Sequence, residues 1–147
     1  MECLGGGGYV EESVLPRLYR EAPLNSIWEG SGNVIALDVE RAIRNAPESV
    51  DALFTELALS ASGDHRLDAA VRALEAEIRQ SALDPRNARR LTERIALLMQ
   101  ASLLVRHAPA AVSDAFCSLL ANEAGHAFGC LTPSDPRSII ERAVVDG

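Results

Sequence analysis

The stretch Ser26-Ile27-Trp28-Glu29-Gly30-Ser31-Gly32-Asn33 decides how the first third of the chain folds. Ser31 is a residue type that caps helix N-termini. After it, apolar residues recur every fourth position, as they do on one face of a helix: Ile35, Val39 and Ile43. We therefore predict a helix from Ser31 to about Asn45. Gly30 and Gly32 allow the backbone to turn sharply before this helix and to approach a ligand closely.

A single carboxylate, Glu29, stands between a large aromatic residue and a glycine just before this helix. The peptide N–H groups that open a helix are unpaired, so they can bind a phosphate or another anion. If Trp28 shields Glu29 from water, the pKa of Glu29 rises, which suits the residue to proton abstraction. The alternative is a solvated loop glutamate that precedes a capped helix.

Two further motifs precede this stretch, Gly5-Gly6-Gly7-Gly8-Tyr9 and Leu18-Tyr19-Arg20-Glu21-Ala22. In this order and spacing, the three motifs resemble the C-terminal region of the flavin-dependent acyl-CoA dehydrogenases. There a Gly-Gly-x-Gly-Tyr/Phe turn is followed by Tyr-Arg-Asp-Ala and then by Ile-Tyr-Glu-Gly-Thr. Leu-Tyr-Arg-Glu and Ser-Ile-Trp-Glu-Gly-Ser-Gly-Asn are typical of the AidB-like, alkylation-response branch.

The resemblance implies a role for each matching residue. Glu29 matches the base that takes the α-proton from an acyl thioester while the β-hydrogen leaves as hydride to the flavin. Trp28 and Gly30 match positions beside the substrate pocket. The family usually has tyrosine at the position of Trp28, so the bulkier indole is expected to narrow or reshape the acyl pocket.

The resemblance also implies a site for flavin adenine dinucleotide (FAD). Gly5, Gly6 and Gly8 match the turn that approaches the adenine side of a partner subunit's flavin. Ser31 and Asn33 match positions near the cofactor's phosphates or ribose. In addition, Arg20 is expected to help position the loop that carries the base.

The same resemblance divides the chain at residue 45. Residues 1–45 would be the end of the dehydrogenase's C-terminal helical domain, and residues 46–147 a helical extension packed with it as one unit. The complete protein would bind FAD and an acyl-CoA and form a homo-oligomer, a dimer or a tetramer. Since most of the flavin site lies elsewhere in that protein, we expect this chain alone to hold no flavin tightly and to be inactive.

Beyond residue 45 the sequence predicts helices only. Pro47, Asp64, Asp84-Pro85 and Pro109 mark helix starts, and the longest helix is expected at Arg86–His107. A last short helix is expected from about Pro136 to Val144. No segment shows the apolar alternation of a strand, so the fold prediction is all-α, an antiparallel helical bundle with short connections.

Composition restricts the class of protein further. The chain has 147 residues, 48% of them apolar, and a net charge of −7, which repels nucleic acid and anionic membranes at long range. Three widely spaced cysteines, Cys3, Cys117 and Cys130, argue against a disulfide framework. The most apolar stretch, 95–105, is too short to cross a bilayer, so we predict a soluble cytoplasmic protein without membrane contact.

A second hypothesis, DNA binding, comes from four arginines on the longest predicted helix. They are Arg86, Arg89, Arg90 and Arg94. Of these, Arg86, Arg90 and Arg94 share a face and could follow DNA phosphates, as a DNA-protecting module of the AidB-like kind would require. The net acidity disfavours this reading, and pairing of the stripe with Glu75, Glu77 or Glu93 is the plainer alternative.

A metal site and a structural module complete the alternatives. His126 and Cys130 lie four residues apart, with Cys117 as a third candidate ligand, but a structural zinc site requires paired soft ligands and no second pair is present. We therefore predict no metal.

The third hypothesis for the whole chain is a structural helical module whose exposed apolar surface packs against other domains or copies of itself.

Overall fold

A computed structural model describes residues 2–80, 84–121 and 133–143 of the chain. Within these ranges the regular structure is helical and no strand occurs, which confirms the all-α prediction. The α-helices are α1 (Leu15–Glu21), α2 (Gly32–Asn45), α3 (Pro47–Ala58), α4 (His65–Gln80), α5 (Ala88–His107), α6 (Ala110–Ala121) and α7 (Pro136–Ala143). Short 3-10 helices occupy Glu2–Gly8, Ala22–Ser26 and Pro85–Asn87.

The predicted helix boundaries around α2 and α3 are confirmed. Ser31 occupies the N-cap of α2 in an extended conformation, with φ −67° and ψ 154°. The helix ends at Asn45 because Pro47 carries no N–H group to continue the hydrogen-bond ladder. Pro47 is instead the first residue of α3, a position where a missing N–H costs nothing.

Aspartates begin the next two helical segments. The side chain of Asp64 accepts hydrogen bonds from the backbone N–H groups of Arg66 (2.8 Å) and Leu67 (3.4 Å) before α4. The side chain of Asp84 accepts one from the backbone N–H of Arg86 (2.9 Å). The chain then forms a 3-10 turn, so the longest α-helix begins at Ala88, two residues later than predicted.

The hydrophobic core is formed by α3, α4, α5 and α6, while α2 packs against α5. Its buried members are Val50, Phe54, Leu57, Leu67, Leu74, Ile78, Leu91, Leu98, Ala101 and Cys117. The helical spacing of apolar residues predicts an inward face on α4 and another on α5, and both are confirmed, because their residues are buried or pack against the core. These are Leu67, Ala70, Val71, Leu74 and Ile78 on α4, and Leu91, Ile95, Leu98, Ser102 and Val105 on α5.

For α6 the sequence predicts inward-facing residues at Val112, Phe116, Leu119 and Leu120. Of these, Phe116 and Leu120 pack against the core in half-buried positions, as predicted, while the fully buried residues are Ala115 and Cys117, which the sequence did not single out.

The turn between α3 and α4 fits closely against α5. A Cβ added to Gly63 would lie 2.4 Å from Cγ1 of Val105, so only glycine fits here without a shift of one element. Ser62, which precedes it, has a positive φ of 66°. The sequence also predicts loops at 80–83 and at about 125–136, and most of both segments lies outside the described residues. None of the helices in the described ranges is long and apolar enough to cross a membrane.

Candidate functional site

The loop that carries Glu29 is a tight, hydrogen-bonded turn. The backbone N–H groups of Ile27 and Trp28 both donate to the carbonyl oxygen of Leu24, at 3.0 Å. Glu29 then has φ 61° and Gly30 has φ 122°, two consecutive left-handed residues that redirect the chain into α2. A glutamate in this region costs about 1 to 3 kcal/mol, and such outliers cluster at functional sites. The turn therefore marks Glu29 as a candidate functional residue.

This chain does not shield Glu29 from water. Glu29 is exposed, and the neighbouring Trp28 side chain is 56% exposed. The expectation that Trp28 would desolvate the carboxylate is therefore wrong for the chain by itself. Any shielding of Glu29 has to come from a surface that the described residues do not contribute.

The N-terminus of α2 follows directly and presents hydrogen-bond donors. Ser31 forms no side-chain capping bond, so its hydroxyl and the first N–H groups of the helix are left for another partner. Asn33, in the first turn, is exposed. Nothing larger than hydrogen extends from Gly32, so a ligand can approach the backbone closely at this point.

Arg89 of α5 joins this group of residues, and the sequence did not identify it as a site residue. Its Nη1 donates to Oδ1 of Asn33 at 3.0 Å, and its guanidinium lies 3.7 Å from the place where a Cβ on Gly32 would be. Helical periodicity placed Arg89 off the face shared by its neighbouring arginines. Only the packing of α2 on α5 brings positions 33 and 89 together, and no local sequence signal reports that contact.

The glycine-rich turn lies at the start of the described chain. Gly5 has φ 54° and ψ −136°, which divides the 3-10 helix Glu2–Gly8 into two parts. A Cβ added to Gly5, Gly6 or Gly7 would meet no atom of the described residues within 4 Å, whereas Gly8 is buried. The described chain therefore gives no steric reason for glycine at Gly6 or Gly7. An open glycine surface of this kind suits close approach by a group from outside.

Arg20 is held by a residue that the sequence did not single out. Its guanidinium forms an ion pair with the carboxylate of Glu11, which ties α1 to the segment that leaves the glycine turn. The hydrogen bond that Arg20 donates to the carboxylate of Glu11 raises the pKa of Arg20. The described contacts of Arg20 thus lie on the glycine-turn side and not on the loop that carries Glu29, contrary to expectation.

The three arginines proposed as DNA contacts are all ion-paired. Arg86 bonds Asp84, at 2.8 Å, and this hydrogen bond lowers the pKa of Asp84. Arg90 bonds Oε1 of Glu77 at 2.6 Å, and Arg94 bonds the other oxygen of the same carboxylate. The alternative of pairing with Glu77 is therefore confirmed, and the three arginines share two carboxylates.

Two of the three candidate metal ligands weighed above lie outside the described residues. These are His126 and Cys130, and no group of three or more His, Cys, Asp or Glu side chains inside the described ranges could hold a metal ion. Cys117 is fully buried, and this burial raises the pKa of its thiol to about 11.

The residues at the start of α2 fit the phosphate part of a dinucleotide. The Ser31 hydroxyl, the Asn33 amide, the opening N–H groups and the Arg89 guanidinium are all hydrogen-bond donors, and the guanidinium is cationic. Helix N-termini and arginines are the groups that proteins use to bind phosphate oxygens. The donor set is therefore suited to a pyrophosphate.

Comparisons with known proteins agree with this description. Residues 1–44 match the sequence model of the family described as acyl-CoA dehydrogenase, C-terminal domain. The chain is 41% identical over 126 residues, 85% of its length, to the protein named "Putative acyl-CoA dehydrogenase AidB" from Escherichia coli (strain K12). It is 54% identical over 41 residues, 28% of its length, to acyl-CoA dehydrogenase family member 11 of Caenorhabditis elegans.

These relatives are much longer than the chain. The matches cover 23% of the AidB protein and 7% of the nematode protein. Similarity to AidB also extends well past residue 44, where the match to the family's domain model stops. The chain therefore belongs with the C-terminal region of the acyl-CoA dehydrogenases, in the branch that contains AidB.

Proposed function

We propose that the chain is the C-terminal part of an FAD-dependent acyl-CoA dehydrogenase in which Glu29 is the α-proton base. The observation that carries this proposal is the backbone at Glu29, whose left-handed conformation places a carboxylate directly before the donor-rich start of α2. Glu29 would then lie two residues before Ser31, the first of the residues at the start of α2 that are proposed to bind the cofactor.

The reaction removes one hydrogen from each of two adjacent carbons. The carboxylate of Glu29 accepts the proton from the α-carbon of the acyl thioester, and a double bond forms between the α- and β-carbons as hydride leaves the β-carbon. The flavin, when bound, supplies the acceptor for this hydride. Trp28 and Gly30 flank the base and bound the space beside the acyl chain, while Ser31 and Asn33 hold the cofactor's phosphates or ribose.

The same proposal assigns the remainder of the chain. Residues 1–45 end the dehydrogenase's C-terminal helical domain, and residues 46–147 form an extension that packs with it through α2 and α5. The turn of Gly5, Gly6 and Gly8 approaches the flavin of a second copy through its exposed members Gly5 and Gly6, while Gly8 is buried, so the complete protein is a homo-oligomer. We place it in the cytoplasm, consistent with its widely spaced cysteines. By itself the chain neither retains flavin nor oxidises acyl-CoA.

A chimera tests the proposal. In the E. coli AidB protein, the aligned segment is replaced by this chain, and the purified chimera is examined for bound flavin and for bleaching of the flavin by butanoyl-, octanoyl- and hexadecanoyl-CoA. The proposal predicts flavin in the chimera and bleaching by at least one thioester, with neither in the isolated chain. Stoichiometric flavin and acyl-CoA oxidation by the isolated chain would contradict the assignment of a partial site.

A second candidate function is supported by the surface of the N-terminal third. Large apolar side chains are exposed there: Leu4, Tyr9, Val10, Val14, Leu18, Tyr19, Leu24, Ile27, Trp28, Val34, Ile35 and Leu37. A surface of this kind marks an interaction site. We propose that other parts of a dehydrogenase cover it. Light scattering tests this, because self-association of the isolated chain is expected and a clean monomer would count against it.

The DNA hypothesis gains no such support, because Arg86, Arg90 and Arg94 are ion-paired.

A further inference from the structure

Arg89 differs from the three other arginines in its part of the chain. Arg86, Arg90 and Arg94 each bond a carboxylate. In the part of the chain that the structure describes, Arg89 has no carboxylate partner, and its hydrogen bond goes to the neutral side chain of Asn33. An exposed arginine usually pairs with an acid or remains free in water, so a neutral partner 56 residues away in sequence requires an explanation.

The position of Arg89 adds positive charge where positive charge is already present. The start of α2 carries roughly half an elementary positive charge from the aligned peptide groups. The guanidinium lies 3.7 to 3.8 Å from the Cβ position of Gly32, in the first turn of that helix. Cations are ordinarily favoured at the opposite end of a helix. An anion bound between these groups would reverse the repulsion into attraction.

The hydrogen bond also fixes the orientation of Asn33. Oδ1 of Asn33 accepts from Nη1 of Arg89, so both hydrogens of the Asn33 amide nitrogen remain available for another acceptor. Arg89 keeps its other guanidinium hydrogens, since this bond uses only one of its five N–H donors. The pair therefore presents donors alone.

We propose that Arg89 is a positioning residue that orients Asn33 and itself contacts the pyrophosphate of the dinucleotide cofactor. This inference rests on the proposed function, because it assigns the cofactor to the start of α2. It gives the extension a direct part in the site, since Arg89 lies on α5 and well outside the residues 1–44 that match the dehydrogenase domain.

The test uses this chain and adenosine diphosphate, which carries the ribose and pyrophosphate of the cofactor. The ligand is titrated into isotope-labelled chain while the backbone amide resonances of Gly32 and Asn33 are followed by NMR, with adenosine as the ligand that lacks phosphate. We expect the two resonances to shift with adenosine diphosphate and not with adenosine. Arg89→Met should weaken binding by about tenfold, as expected for the loss of a charge-assisted hydrogen bond.

Arg86→Met is the matched control, because it removes the same charge from an exposed position nearby. Its affinity for adenosine diphosphate should stay within about twofold of the wild type, since an exposed charge that does not touch the ligand is largely screened. Arg89→Lys keeps the charge but not the planar fork, so an intermediate affinity is expected. The side-chain amide resonances of Asn33 should move in both Arg89 variants and not in Arg86→Met. Unchanged amide spectra elsewhere show that the variants are folded.

Two results would overturn the inference, and they separate it from the proposed function. If adenosine diphosphate shifts Gly32 and Asn33 in the wild type but Arg89→Met binds equally well, or no worse than Arg86→Met, the role of Arg89 is refuted and the cofactor position stands. The chain carries only part of the flavin site, so weak binding is expected, and NMR detects dissociation constants of about 1 mM. If the ligand at several millimolar produces no shift at Gly32 or Asn33 in the wild type, both the cofactor position and the role of Arg89 are refuted.

Discussion

Arg66 on α4 and Asp114 on α6 are joined by an ion pair in which Nη2 donates to Oδ1 at 2.7 Å. The same Nη2 donates to Asp64 at 2.6 Å, and Asp64 is the residue that caps α4. One guanidinium therefore connects the start of α4 to the neighbouring helix. Its hydrogen bond to Asp64 lowers the pKa of that carboxyl to about 2.

The stability of the chain should depend on the charge of Asp64. In the unfolded chain an aspartate has a pKa of about 4. Since the folded pKa is lower, the stabilisation is fully present above about pH 4 and is lost as the pH falls toward about 2. Asp64→Asn keeps a capping oxygen but removes the charge, so urea unfolding at pH 7 should show a loss of about 1 to 2 kcal/mol.

The difference between Asp64→Asn and the wild type should then shrink as the pH is lowered from about 4 to about 2. Glu12→Gln, at an exposed position, is the control and should show no such trend. A difference for Asp64→Asn that stays constant across this range would mean that the Arg66 contact does not stabilise the ionised form.

Gly63 should be intolerant of any side chain. Gly63→Ala places a Cβ 2.4 Å from Val105 and 3.0 Å from the backbone oxygen of Ser60, so we expect a loss of about 1 to 3 kcal/mol in the free energy of unfolding, typical of overpacking. Val105→Ala should recover part of this loss in the double variant. Gly6→Ala, where a Cβ meets nothing within 4 Å, should change stability by less than about 0.5 kcal/mol. Equal effects at positions 63 and 6 would contradict the close contact with α5.

The cysteines Cys3 and Cys117 should differ sharply in reactivity. Cys3 is exposed, whereas Cys117 is fully buried with a pKa raised to about 11, so almost none of its thiol is ionised at pH 8. In a Cys130→Ser background, a disulfide reagent should therefore titrate one thiol rapidly and the second only in denaturant. Cys3→Ser should abolish the rapid phase. Rapid reaction of two thiols in the folded chain would show that α6 does not bury Cys117.

The sequence predicted the features of this molecule that depend on near neighbours. Asp64 and Pro47 mark helix starts because capping and the missing proline N–H act within one turn of chain. Ser31 lies at the N-cap of α2, as predicted, although its side chain makes no capping bond. On α6 the inward position of Phe116 and Leu120 was predicted but the full burial of Ala115 and Cys117 was not, because apolar residues surround most of that helix and do not select one side.

Within the candidate site, the sequence predicted the turn around Glu29 but not its surroundings. The exposure of Glu29 and the contact between Asn33 and Arg89 both depend on which surfaces meet in three dimensions. Neither is encoded in the spacing of residues along the chain. For Arg90 and Arg94 the sequence did name Glu77 among three possible partners, but only the packing of α4 on α5 selects Glu77 over Glu75 and Glu93.

Replacement of Glu29 in the AidB chimera tests the central claim most directly. Flavin bleaching by acyl-CoA in the absence of oxygen is measured for Glu29→Gln, with Glu12→Gln as the matched exposed control. If Glu29 removes the α-proton, Glu29→Gln retains its flavin but bleaches at least about 100-fold more slowly, the range expected for a lost general base, and Glu12→Gln is unaffected. Bleaching of the Glu29→Gln chimera at the rate of the unsubstituted chimera would contradict the assignment of the base.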